Sequence, residues 1–265
     1  MRRPAVAGQF YPLNPEYLEE ELKRCFKGLE IRERDVLGAV CPHAGYVYSG
    51  KVAASSYATF PKADTYVLIG PNHTGYGSPV SLSKDTWETP LGIVEVDLSL
   101  ADGFLGSIVD VDELGHKYEH SIEVQIPFLQ YLFGRSLRIL PICMGIQDEE
   151  TAVEVGNLAA NLVSKSGKKV VFIASSDFTH YQPAEIAKKI DSEVIEAILN
   201  QDVSEMYDLL YERNASVCGY GPIAALLTAS KKLGGKRATL LNYDNSGTVS
   251  GDMNAVVGYA AIIVE

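Results

Sequence analysis

Two histidines arrive just after apolar runs, His43 in "CPHAGY" and His73 in "GPNHTGYG". Neutral imidazole is the commonest transition-metal ligand and also the side chain best suited to moving protons near neutral pH. Either residue alone reads equally well as a turn residue satisfying backbone groups, since Gly70, Pro71 and Asn72 make a natural turn. Two of only five histidines at equivalent places in the chain point instead to a shared metal. A third apolar run ends in "SSDFTHY", where Asp177 and His180 form a candidate acid/base pair, the carboxylate fixing the imidazole tautomer and raising its basicity. Ser175 and Ser176 stand beside them and raise the alternative of a Ser-His-Asp hydrolase. The missing G-x-S-x-G elbow argues against it.

"GHKYEHSIEVQ" places His116 and His120 four residues apart, one helical face if the segment is helical throughout. The H-E-x-x-H zinc motif fails, because Lys117 stands where Glu is required. His116 follows Gly115 and is expected on the surface, whereas His120, at the start of an apolar helix, stays a site candidate. Cys218 lies in a Gly-rich turn just before a helix that Pro222 would open, a position that lowers a thiol pKa and suits metal ligation. It also suits a small hydrophobe in a tight turn. Cys25, Cys41 and Cys143 continue apolar patterns and are expected in the core.

These residues need elements that bring them together. "DVLGAVC", "ADTYVLIGP", "SLRILPICMGI" and "KKVVFIASS" are short, nearly continuous apolar runs, the pattern of strands buried on both faces. Helical periodicity separates them, as in "SIEVQIPFLQYLF", "TAVEVGNLAANLVSKSG" and "PAEIAKKIDSEVIEAILN", and "NPEYLEEELKRCFKGLE" is a further helix with Asn14 as its cap. This alternation predicts an α/β fold with a mostly parallel central sheet flanked by helices. Parallel strands gather their carboxyl ends on one edge, where open sheets bind ligands. His43, His73, Asp177 and His180 are therefore expected to converge. "GSPVSLSKDTWETPLGIVEVDLSL" is β-branched and turn-rich, an irregular excursion beside that edge.

At 265 residues with no linker-like stretch, the chain reads as one domain over 1–265. A net charge of −11 and the absence of a basic run exclude nucleic-acid and anionic-membrane surfaces. "KKLGGKR" is a solvated helix end. The cysteines form no CxxC pair, the N-terminal segment carries no signal-like apolar stretch, and the expected compartment is the cytoplasm.

Seven ordered segments carry a resemblance: "RRPAVAGQFYP", "PHAGYVYSG", "GPNHTGYG", "YEHSIEVQIPFLQYL", "SSDFTHY", "CGYGPI" and "NYDNSGTVSGDMNAVVGYAAIIVE". Together they resemble the Memo family from Arg3 to the C-terminus. The resemblance implies the sandwich fold of the class III extradiol, non-haem iron dioxygenases. It also implies His43, His73 and Cys218 as metal ligands, with Asp177, His180 and His120 lining the same pocket. Cys218 stands where those dioxygenases carry a carboxylate, which softens the site toward copper or zinc while permitting iron. Ring cleavage therefore does not follow from the fold. Three functions remain open: a metal-dependent oxidoreductase, with iron or copper ahead of zinc and His180 moving protons; a non-catalytic phosphopeptide-binding or metal-handling protein; and a hydrolase. The resemblance further implies a radical SAM partner protein.

Overall fold

The computed structural model describes residues 1–265. The four apolar runs are its central parallel strands: β1 (Gly38–Cys41), β2 (Thr65–Pro71), β7 (Arg138–Met144) and β8 (Val170–Ser175). Every residue of β1, β2 and β8 is buried, as expected for strands covered on both faces. They lie in the order β1, β8, β2, β7, all parallel.

Further strands extend the sheet on both sides, antiparallel beyond β1 and mixed beyond β7. Beyond β1 come β11 (Val256–Val264) and β10 (Ala238–Asn245), with the short β9 (His180–Gln182) on the other end of β11. Beyond β7, β3 (Val80–Leu82) pairs with the carboxyl half and β5 (Gly92–Val96) with the amino half, while β4 (Trp87–Thr89) forms a hairpin with β5 and β6 (Asp110–Val111) pairs with β3. The β-branched excursion is thus a set of short edge strands.

Register shows how the two faces are covered. Gly38, Phe172 and Val67 lie in one row across the sheet, and a Cβ on Gly38 would meet Leu226 at 2.5 Å, so the helix Tyr220–Lys232 covers that face. Gly70, three residues beyond Val67, points to the other face, where a Cβ would meet Ser121 and Ile122. The helix Glu149–Ser166 stacks on the first helix. On the second face, the helices Tyr46–Tyr57, Pro15–Cys25 and Ile126–Phe133 pack together, joined by Tyr57 stacked on Phe128 at 4.8 Å. The "SIEVQIPFLQYLF" segment is helical only from Ile126, after a 3-10 turn at Glu123–Gln125, because Pro127 is confined to the first turn of an α-helix. No helix is long and apolar enough to cross a membrane.

Candidate metal centre

Cys41 pairs with Ser175 and Ile69 with Ala174, so the carboxyl ends of β1, β8 and β2 lie side by side. His43, Asp177 and His73 each sit two residues beyond their strand. Adjacent strands and an equal offset bring them together.

The loops are tied down locally. The side chain of Asn72 accepts from the Thr74 and Gly75 N–H groups, both at 3.0 Å, fixing the turn that presents His73. Cys218 N–H donates to the Asp177 carbonyl at 3.2 Å, and Gly219 N–H to Ser176 Oγ at 2.9 Å, seating the helix start against the end of β8. That approach requires glycine: a Cβ at position 219 would lie 2.3 Å from the Ser175 carbonyl oxygen.

Ligand atoms of His43, His73 and Cys218 all lie within 4.8 Å of one another, with His43 Nε2 at 3.1 Å from Cys218 Sγ. His43 is 2% exposed and the His73 side chain 35%, so the site is closed at the back and open beside His73. Behind His43, Nδ1 lies 3.0 Å from Ser175 Oγ. Behind His73, Nδ1 lies 3.0 Å from Glu119 Oε1, and His120 Nδ1 lies 3.2 Å from the same oxygen. His73 Nδ1 donates to that carboxylate, leaving its Nε2 free, while His120 Nδ1 is a close neighbour of the same oxygen. The ring of His120 stands 4.6 Å from that of His73 and 5.3 Å from that of His43. Phe10 packs on its other side at 4.7 Å.

Burial favours the neutral form of two of these rings, His43 and His120. Burial, then the neighbouring His120, His73 and His180, holds His43 well below the ordinary histidine range. Burial also lowers His120, to about 4, against the pull of Glu119. Burial works to raise Glu119, but hydrogen bonding and charge from His73, then His120 and the Ser121 N–H, outweigh it and bring it down to about 2. Burial pushes Asp177 up to about 6 against the His43 N–H that donates to it.

Cys218 departs from expectation. Burial and the Asp177 carboxylate push its thiol well above the ordinary range, outweighing the Asp177 N–H that donates to Sγ at 3.2 Å. The helix start does not make a free thiolate here; a bound cation would have to supply the compensating charge.

The expected Asp177–His180 pairing also gives way. Nδ1 of His180 lies 2.9 Å from the Ser216 carbonyl, and the His180 N–H donates to Ser216 Oγ at 2.7 Å. Asp177 instead accepts the His43 N–H at 2.8 Å, with Oδ2 4.0 Å from His43 Nε2. The short β9 begins at His180 and pairs with β11, which holds this residue apart from Asp177. Nor is a serine poised for attack. Ser175 donates to the Ser121 carbonyl at 2.6 Å and Ser176 to the Asp177 carbonyl at 2.8 Å, and both are buried.

His116, expected on the surface, is fully buried. Its Nε2 faces the Ser81 carbonyl at 3.1 Å and its ring meets Trp87 edge-on at 5.6 Å. Cys25, Cys41 and Cys143 are core residues as expected. Sequence reasoning missed the supporting role of Glu119, whose signal was an acid directly before His120 at the mouth of an apolar helix, and the roles of Ser121 and Gln125 behind Ser175.

The donor set fits a transition metal: two backed imidazoles and one thiol, with a carboxylate oxygen 4.0 Å from His43 Nε2. His73, Glu119 and His120 form a second close group, but the Glu119 oxygens already accept the His73, His120 and Ser121 N–H groups, which makes this carboxylate a support for ligands.

Comparison with known proteins gives the family. A MEMO1 family protein of Methanosarcina barkeri is 77% identical over 265 residues, covering 100% of both chains. One from Archaeoglobus fulgidus is 50% identical over 99% of each. Among solved structures, an uncharacterized protein from Escherichia coli K12 superposes with a TM-score of 0.57 at 12% identity, covering 85% of this chain and 98% of that one, a likeness of fold alone. A model of the family described as Memo-like protein matches residues 2–263, and with these relatives it places the chain in the Memo-like family.

Proposed function

We propose that the chain holds one transition metal ion through His43, His73 and Cys218, iron or copper ahead of zinc, and acts as a metal-dependent oxidoreductase on a small molecule. The carrying observation is the convergence of three donors on one space, with His43 and His73 each backed at Nδ1. When bound, the cation would supply a Lewis-acidic, redox-active centre with coordination positions left open by a three-donor set.

The remaining residues would serve that centre from its rim. Nδ1–H of His180 donates to Ser216, leaving Nε2 to take up or release a proton. Asp177, whose charged form burial disfavours, stands with Oδ2 4.0 Å from His43 Nε2. His120 presents a neutral Nε2 beside His73. Phosphopeptide recognition has less support, because burial keeps His43 and His120 uncharged and a phosphate dianion needs cationic donors.

The test is metal content by mass spectrometry on anaerobically purified protein, wild type against His43→Ala, His73→Ala and Cys218→Ser. Near-stoichiometric iron or copper lost in all three variants supports the assignment. A wild type that retains nothing after reloading with Fe(II), Cu(I) and Zn(II) would sink it.

A further inference from the structure

Behind His43 lies a hydrogen-bonded chain in which the position of every proton can be worked out. Gln125 is fully buried. One end of its amide lies 3.0 Å from the Pro42 carbonyl and 2.7 Å from Ser175 Oγ, and the other end 2.6 Å from the Tyr57 hydroxyl. A carbonyl can only accept, so the end facing Pro42 must be the NH2 group, and Tyr57 must donate to Oε1. Gln125 therefore donates to Ser175.

Ser175 is constrained in turn. Its Oγ lies 2.6 Å from the Ser121 carbonyl, again an acceptor only, so the single hydroxyl proton goes there. Its oxygen accepts from Gln125, and one lone pair remains. The sole group left to fill it is His43 Nδ1 at 3.0 Å, which must carry the ring proton. His43 Nε2 is then an unprotonated lone pair facing Cys218 Sγ at 3.1 Å.

We infer that Ser175, locked by Gln125 and Tyr57, is a positioning residue that fixes the tautomer of His43 and so prepares Nε2 as a donor atom. Its link to metal affinity rests on the metal reading above; the tautomer assignment does not. The serine that the sequence offers as a nucleophile thus acts as a proton acceptor for a ligand ring. Tyr57 and Gln125 extend its reach into the aromatic core, where Tyr57 stacks on Phe128.

The experiment uses 15N-histidine-labelled, metal-free full-length protein and reads two-bond proton–nitrogen correlations of the His43 ring, assigned with His43→Gln. Wild type should show Nδ1–H. Ser175→Ala removes the acceptor and should shift the ring toward Nε2–H, which can then donate to sulfur. Gln125→Leu frees Ser175 to turn its proton toward Nδ1 and should give a mixture, while Ser175→Thr should restore Nδ1–H. Metal affinity, measured by competition with a chromophoric chelator, should fall roughly 10- to 100-fold in Ser175→Ala, as for loss of a partner that orients a ligand. Nε2–H in the wild type, or an unchanged tautomer in Ser175→Ala, would overturn the inference. The expected tautomer series in a protein that takes up no metal would sustain the lock and defeat the metal assignment.

Discussion

Replacing Glu119 with Gln tests the support behind the open side of the site. The carboxylate accepts the His120 and Ser121 N–H groups at 2.8 Å each, the His73 N–H and His73 Nδ1, and His120 Nδ1 stands 3.2 Å away. A glutamine keeps the shape but turns one oxygen into a donor, which must face N–H groups that also donate. The N–H groups that converge on this buried carboxyl favour its charged form. Glutamine stands in for the neutral form, so Glu119→Gln should cost about 3 kcal/mol of stability, within the range for charge-assisted bonds plus an unmet buried donor. In a chain of this size that lowers Tm by roughly 6–10 °C. Metal affinity should fall roughly 10- to 100-fold as His73 loses its orientation. Thermal unfolding of metal-free protein and a chelator competition titration read the two effects separately. A Tm within 2 °C of wild type together with unchanged metal affinity would refute the claim that this carboxylate organises the site.

Other expectations are independent of it. Asp97 is buried and bonded to Lys168 at 2.6 and 2.8 Å; burial opposes its charge, but Lys168, Thr65 and Ser99 prevail and hold it well below the ordinary carboxylate range. A depressed folded-state value means that this stability is present above about pH 4 and lost as pH falls through the folded-state value. Lys168→Met should cost about 2 kcal/mol at neutral pH and flatten the acid limb of urea-unfolding stability against pH; an equally steep limb would contradict this. Gly219→Ala forces a Cβ against the Ser175 carbonyl, so it should destabilise by about 1–3 kcal/mol and displace Cys218, seen as lost metal content. Cys218→Ser removes the soft donor, so any residual metal should shift from copper and zinc toward harder ions, measured by loading under mixed-metal competition.

The central sheet was legible because strands buried on both faces leave unbroken apolar runs, and each of the four runs is one of the four parallel strands. His43 and His73 were legible for the same reason, as ionisable groups stranded where those runs stop. Cys218 and His120 were ambiguous locally, since a thiol in a turn or an imidazole at a helix start fits ordinary packing as well. His116 misled because its burial comes from Arg2 and Trp87, remote in sequence: Arg2 donates to the His116 carbonyl at 2.8 Å and lies 4.1 Å over the Trp87 ring. The Asp177–His180 pairing misled because spacing does not reveal that β9 intervenes and that Ser216 offers two partners. Ser121 and Gln125 lay in a stretch whose apolar periodicity drew attention to its core face.

Strand order has a consequence for how the molecule comes into being. β8 lies between β1 and β2, so the two earliest sheet strands, finished by Pro71, flank a gap that only residues 170–175 can fill. A chain emerging from the ribosome holds that gap until residues 170–175 have been made, with apolar edges unpaired meanwhile. Long-range parallel pairing of this kind slows folding. Cys218 emerges later still, so the three-donor set cannot be assembled before that residue has been made.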